Sequence, residues 1–289
     1  MSSDNKIIYL KSEDPSLYKI IFDVIKEIIP ETYLVFNHTN NDGDEPENGF
    51  TINDYNYEKS ICFYLKIDGS KLAAFKCSKN NYKVGVGLKI LSQVFKSLDD
   101  KNEFEMNIYN NETEKLYIES FNHTQCYKTT QSIMLMELEK SIYKLDPIKY
   151  DAEITINADK FHKACSELLK IGNELEITCT NNNFILETKG KLSSNKISYI
   201  NSNNNYGVNI QLNTQDKDLV IKGTYDLSNI SKLKKCSGLN TMFKIYMKKD
   251  IYPLTLCYTI GEIGMFVVFI TPINKLNSLS DTSDNTTNN

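Results

Sequence analysis

The chain has 289 residues, 40% of them apolar and 24% charged, a composition that excludes disordered, collagen-like and coiled-coil classes, and a length that suits two ordinary domains of roughly 100–200 residues. Lys and Arg number 33 against 37 Asp and Glu, a formal charge of -4, which excludes nucleic-acid binding by bulk basicity and leaves room only for a locally basic surface. No run approaches the roughly 18–20 apolar residues of a membrane helix, and the opening MSSDNKIIYLKSED lacks the apolar centre of a signal peptide, so the expectation is an intracellular protein.

In chain order, Asp14-Pro15 supplies a cap and a first-turn proline for a first helix. Leu17, Ile20, Ile21, Val24, Ile25 and Ile28 form its apolar stripe, Lys19 and Lys26 lie off it, and Pro30 marks its end. Residues 37–49 are a polar loop. Period-two alternation then predicts half-buried antiparallel strands at Ile61, Phe63, Leu65 and Ile67. A second helix covers about residues 88–98, with Leu88, Leu91, Val94, Phe95 and Leu98 inward and Lys89 and Lys96 outward. Strands follow at Phe104, Met106 and Ile108, at Leu116 and Ile118, and at Ile154 and Ile156.

A third helix opens at Asn157 or Asp159 and ends before Gly172, with Phe161, Ala164, Cys165, Leu168 and Leu169 inward and Lys163 and Lys170 outward. A fourth is expected from about Asp226 to Cys236 on Leu227, Ile230 and Leu233, with Lys232, Lys234 and Lys235 crowding its last turn. Between them, Leu175, Ile177 and Cys179 alternate, as do Phe243, Ile245 and Met247 further on. Leu254 to Ile270 reads as a buried hairpin broken at Gly261-Glu262-Ile263-Gly264, and from about Asn274 the chain is a disordered polar tail. Helices one and two recur as helices three and four at nearly the same offset, so the chain is an internal duplication of an α+β unit with two helices on one sheet face.

Catalytic and metal-ligating signals are sparse. The seven cysteines never form C-x-x-C, there are three histidines and no H-E-x-x-H, and no G-x-S-x-G elbow occurs. Val84-Gly85-Val86-Gly87-Leu88-Lys89 lacks both the third glycine of a dinucleotide fingerprint and the G-K-[ST] ending of a P-loop. No enzyme, cofactor or metal site is expected.

Over residues 6–273 the sequence resembles the sliding clamps of the proliferating cell nuclear antigen family. The resemblance rests on blocks in fixed order: Ser16-Leu17-Tyr18-Lys19 through Lys26-Glu27-Ile28-Ile29, Val84-Gly85-Val86-Gly87-Leu88, Leu135-Met136-Glu137-Leu138, Tyr150-Asp151-Ala152, Phe161 through Ile171-Gly172, Tyr252-Pro253-Leu254 through Gly264, and Ile270-Thr271-Pro272. It implies duplicated clamp domains at 1–135 and 152–273, joined by a connector at 136–151 and followed by the tail at 274–289. It further implies a head-to-tail homotrimeric ring around duplex DNA, with helices lining the hole, that serves DNA polymerase, a clamp loader and clamp-binding peptides of replication and repair proteins without catalysis or membrane contact. The implied site of action is the nucleus or a cytoplasmic viral replication site.

Carried over residue by residue, the DNA-facing positions are Lys19, Lys26, Lys96, Lys163, Lys170 and Lys235, with Lys89, Lys232 and Lys234 adding to the same field. Gln93 and Ser166 stand where the family has basic residues. Solubility is the default explanation for an exposed lysine, and recurrence on all four helices favours a binding surface instead. The implied peptide pocket takes Leu145 from the connector, Tyr143 and Tyr150 beside it, Tyr55 near a position usually held by methionine, and Pro253, Phe269 and Pro272 as its wall. Partners would insert one aliphatic and two aromatic anchors. Subunit closure would pair the strand of Ile133 and Leu135 with the neighbour's strand of Ile197 and Tyr199, consuming both edges. The rival readings are a heterotrimeric or checkpoint-type clamp subunit and, from another class, a DNA-processing enzyme with an unrecognised site.

Overall fold

The computed structural model describes residues 5–38, 48–139, 148–202, 207–214, 216, 218–250 and 252–275. Most of the polar loop at 37–49 and most of the tail lie outside them. The first half of the chain builds β1 (Lys6–Ser12), α1 (Pro15–Ile25), β2 (Glu31–Asn37), β3 (Gly49–Tyr55), β4 (Ile61–Asp68), β5 (Ala74–Cys77), β6 (Tyr82–Gly87), α2 (Leu88–Ser97), β7 (Glu103–Tyr109), β8 (Glu112–Asn122) and β9 (Tyr127–Met134). The second half repeats that order: β10 (Ala152–Asn157), α3 (Ala158–Leu168), β11 (Glu174–Cys179), β12 (Asn183–Lys189), β13 (Ser194–Ile200), β14 (Asn209–Leu212), β15 (Ile221–Asp226), α4 (Leu227–Ser231), β16 (Met242–Met247), β17 (Leu254–Ile260) and β18 (Gly264–Ile270).

Two compact units result. The first comprises Met1–Asp54, Tyr64–Lys144 and Thr259–Phe266, the second Tyr55–Phe63, Leu145–Tyr258 and Val267–Asn289. Within the first, β1 pairs antiparallel with β5 and β7, and β2 with β3 and β6. Within the second, β10 pairs with β14 and β16, and β11 with β12 and β15. The same pairing rule at the same ordinal positions carries the duplication from periodicity into hydrogen-bond topology. Edges also repeat: β9 ends the sheet β5-β1-β7-β8-β9, and β13 ends the sheet β13-β12-β11-β15.

Helix starts follow their caps. Asp14 accepts from the Ser16 amide at 2.9 Å with Pro15 at the first helical position, Asn157 accepts from the Lys160 amide at 3.0 Å, and Asp226 from the Ser228 amide at 2.8 Å. In α1 the buried face is rotated from the expected stripe. Tyr18 and Phe22 are fully buried with Ile21 and Ile25, whereas Leu17 and Ile20 are half-buried. The reason lies in the first unit's core, where the Tyr18 ring stacks on Phe95 at 5.6 Å and meets Phe104 edge-on at 4.9 Å, while Phe22 lies 4.9 Å from Phe95. The second core stacks Phe243 on Tyr258 at 4.6 Å, with Phe161 5.3 Å from Phe243.

The fourth helix departs most from expectation. Its α-helical part stops at Ser231, and Lys234–Gly238 continues as a 3-10 helix. Leu227, Ile230, Leu233, Cys236 and Leu239 are all buried. A strict spacing of three keeps one face buried only at three residues per turn, which is the period of the tighter helix. At the hairpin tip in the first unit, the Ile263 amide donates to the Ile260 carbonyl at 3.0 Å, and Gly261 takes the left-handed φ of 49° that the turn requires.

Candidate functional site

The helix lysines fall into two electrostatic groups. In the first unit, Lys19 Nζ reaches Asp100 Oδ1 at 2.6 Å and the Leu98 carbonyl at 2.5 Å. Lys26 at the C-cap of α1 and Lys96 on α2 share a single oxygen, Asp23 Oδ1, at 2.9 and 2.5 Å. Lys26 also meets Glu27 at 3.3 Å, and its hydrogen bond to Asp23 holds its ammonium above the ordinary lysine pKa. Lys89 is exposed and makes no ion pair among the described residues.

In the second unit, Lys163 on α3, Lys170 just past its end and Lys234 after α4 are exposed and make no ion pair among the described residues. Lys232 is half-buried and donates to Asn229 Oδ1 at 3.2 Å, and Lys235 is exposed on the 3-10 segment. Of the two positions without a basic residue, Gln93 is exposed, and Ser166 turns its hydroxyl back onto the His162 carbonyl at 2.7 Å.

His162 is the one strongly shifted histidine among the described residues. Its Nε2 lies 3.0 Å from the Tyr258 hydroxyl, its Nδ1 is buried without a hydrogen-bond partner, and burial pushes its pKa down to about 4. Burial likewise pushes the Cys179 thiol up to about 12, far from a thiolate nucleophile. Among the described residues no group of three or more His, Cys, Asp or Glu could hold a metal, and no helix is long and apolar enough to cross a membrane.

The residues expected at a peptide pocket fall into two separately fastened groups in the second unit. Thr271 donates from its amide to the Ser60 carbonyl and from its hydroxyl to the Lys59 carbonyl, both at 3.0 Å, which sets the strand end carrying Phe269 and Pro272 beside the turn that follows Tyr55. Tyr55, Pro253 and Phe269 are half-buried and Pro272 is buried. The Tyr150 hydroxyl pairs with Thr255 Oγ1 at 2.9 Å, and its ring lies 5.1 Å from that of Tyr246. Tyr143 and Leu145 lie outside the described residues.

The start of the expected connector is fastened within the first unit by residues that periodicity did not single out. The Met136 amide donates to the Gly85 carbonyl at 3.0 Å, and a Cβ on Gly85 would stand 2.0 Å from the Met136 oxygen, so only glycine fits. The Tyr33 hydroxyl donates to the Leu138 carbonyl and accepts from its amide, both at 2.7 Å.

At the two sheet edges the expected contact residues are only partly outward. Ile133 on β9 is buried within its own unit at 2% exposure, Leu135 is half-buried, and the large apolar side chains exposed on that strand are Tyr127 and Met134. On β13, Ile197 and Tyr199 are half-buried and Ile200 is exposed. Sequence reasoning also missed Asp23, whose signal was a charged residue on an otherwise apolar helix face.

Comparison with known proteins matches residues 7–142 to the family model described as the N-terminal domain of proliferating cell nuclear antigen, and residues 144–273 to its C-terminal domain. A probable DNA polymerase sliding clamp of Acanthamoeba polyphaga mimivirus is 23% identical over 92% of this chain, which spans 62% of that relative's length. A probable DNA polymerase sliding clamp 1 of Paramecium bursaria Chlorella virus 1 is 23% identical over 91% of this chain and 96% of its own. The crystal structure of proliferating cellular nuclear antigen from Entamoeba histolytica superposes with a TM-score of 0.79 at 18% identity, covering 92% of this chain and 99% of that one.

Proposed function

The chain belongs to the proliferating cell nuclear antigen family, and from that premise we propose that it is a DNA sliding clamp whose three copies close head to tail around duplex DNA. The observation that carries this reading is the end-to-end match of both family domains onto a chain whose two halves repeat one strand pairing order. A ring holds its template by topology, so it needs neither base contacts nor tight phosphate binding, and exposed lysines on otherwise acidic subunits suffice for a mobile, sequence-independent grip. On this reading β9 of one subunit meets β13 of the next, so these two sheet ends are paired with each other around the ring.

A surface including Tyr55, Tyr150, Pro253, Phe269 and Pro272, with Tyr143 and Leu145 assigned to it by the family resemblance alone, takes a short peptide from polymerases, loaders and repair proteins, each buried anchor contributing about 1.5–3 kcal/mol. The clamp itself performs no chemistry. The two viral relatives favour a replication site inside an infected cell.

Light scattering on the purified chain tests closure: a trimer is expected, and a persistent monomer sinks the homotrimer in favour of a mixed ring. Lys163→Glu combined with Lys170→Glu is expected to weaken clamp-dependent processive synthesis while leaving the trimer intact. Unchanged processivity removes the DNA assignment of α3.

A further inference from the structure

Within the first unit, one buried carboxylate collects three donors. Asp23 is 5% exposed, and its Oδ1 takes Lys96 Nζ at 2.5 Å, Lys26 Nζ at 2.9 Å and Ser92 Oγ at 3.3 Å. The two lysines come from different helices, and their side chains remain 24% and 46% exposed for Lys26 and Lys96. Two ammonium groups drawn to one oxygen are close enough to repel each other, so the carboxylate between them is what makes the arrangement stable. A phosphate that recruited either lysine would have to draw it away from Asp23, and recruiting both would strip two cations from a desolvated carboxylate. Uncovering a buried charge in this way is costly, so DNA competes against an internal anion for these cations.

We infer that Asp23 is a restraining residue, a built-in counter-charge that withholds Lys26 and Lys96 from the DNA backbone and keeps the first unit's grip weak. This rests on the sliding-clamp reading and adds to it a division of labour, in which the α3 lysines carry the phosphate contacts and the α1 and α2 pair is held back. A weak grip on one unit lowers the barrier to translocation along the duplex without endangering retention, which the closed ring secures.

The test uses the full-length chain and a fluorescent blunt duplex, with affinity measured by anisotropy across a salt series. Asp23→Asn keeps the shape and removes the charge. It is expected to bind more tightly than the parent at low salt and, for each lysine released, to lose roughly three- to fourfold more affinity than the parent between about 50 and 200 mM salt. A salt slope equal to or shallower than the parent's overturns the inference, because a merely structural carboxylate would alter stability and leave the counterion count unchanged.

Should Asp23→Asn fail to fold, a second comparison decides within the parent chain. Lys26→Met with Lys96→Met is expected to lower the salt slope by less than half as much as Lys163→Met with Lys170→Met, and equal reductions overturn the restraint. If both double variants bind duplex as the parent does, the DNA reading itself falls, an outcome distinct from failure of the restraint alone.

Discussion

Helices α1 and α3 carry the same arrangement of charge and use it differently. Lys19, Asp23 and Lys26 have the spacing of Lys163, Glu167 and Lys170, yet Asp23 is buried between two lysines while Glu167 is exposed and makes no ion pair among the described residues. The cross-helix part of the difference, the contact from Lys96, goes with the second helix of each unit. α2 runs ten residues and delivers Lys96 to Asp23, whereas α4 gives way after five to a 3-10 segment, and Lys235, the counterpart of Lys96 by spacing, lies on that segment. A duplicated fold has thus kept its topology while its two halves diverged in electrostatics.

The buried neighbours of those lysines diverge as well. Tyr18 precedes Lys19 and His162 precedes Lys163, and both side chains are buried. The first is an aromatic within an aromatic cluster. The second is a titratable ring.

The comparison can be broken most forcefully at the cores. Phe95→Ala in the first unit and Phe243→Ala in the second are each expected to cost about 3–5 kcal/mol by chemical denaturation. Losses below about 1 kcal/mol at either site would show that the aromatic clusters do not carry their units.

Next in size is a pH effect confined to the second unit. With His162 held at about 4 in the folded chain and near 6.5 when unfolded, the unfolded state binds the proton first. Its contribution is therefore fully present above pH 6.5 and is lost as pH falls toward 4, amounting to about 3 kcal/mol. Denaturation midpoints measured across that window should fall steeply for the parent and less steeply for His162→Gln. Parallel curves would remove the asymmetry between the two cores.

Smaller still is Tyr33→Phe, which leaves both Leu138 backbone groups without the phenol. A loss of about 1–3 kcal/mol in local opening energy should appear as faster amide exchange at Leu138, and unchanged exchange would show that the hydroxyl does not hold the connector. Smallest of all is Asp100→Asn. The carboxylate is 63% exposed, so releasing Lys19 should change stability by less than about 1 kcal/mol, and a thermal shift corresponding to more would place that pair among the structural contacts.

The α+β duplication was legible in the sequence because it rests on apolar spacing, and spacing is what packing reads. The cap at Asp14 was equally plain, a short polar side chain before a proline and an apolar run, whereas the third helix offered Asn157 and Asp159 alike and Asp226 marked only an approximate start. The rotated face of α1 was not. Leu17, Ile20, Tyr18 and Phe22 are all apolar enough to face inward, and only contact with Phe95 and Phe104, far along the chain, selects among them. The 3-10 continuation of α4 had a visible signal in Leu227, Ile230, Leu233, Cys236 and Leu239, a run of threes that a search for α-helical period absorbs without notice.

At the candidate site, lysine positions could be read from helical phase, but not their availability. Whether a lysine is committed depends on carboxylates such as Asp23 and Asp100, whose burial or reach is set by tertiary packing. Pro272 and Phe269 are set beside the turn that follows Tyr55 by long-range pairing, including hydrogen bonds from Thr271 to residues more than two hundred positions earlier.

The fastening at Gly85 has a bearing on how this protein tolerates change in length. Met136 and Leu138 are gripped at alternate residues by a backbone carbonyl and a phenol, so deleting or adding one residue among them would offer the wrong parity to Tyr33. Insertions, tags and evolutionary indels should therefore be absorbed only downstream of Leu138, leaving its upstream neighbours as a fixed ruler from which the rest of the linker is measured.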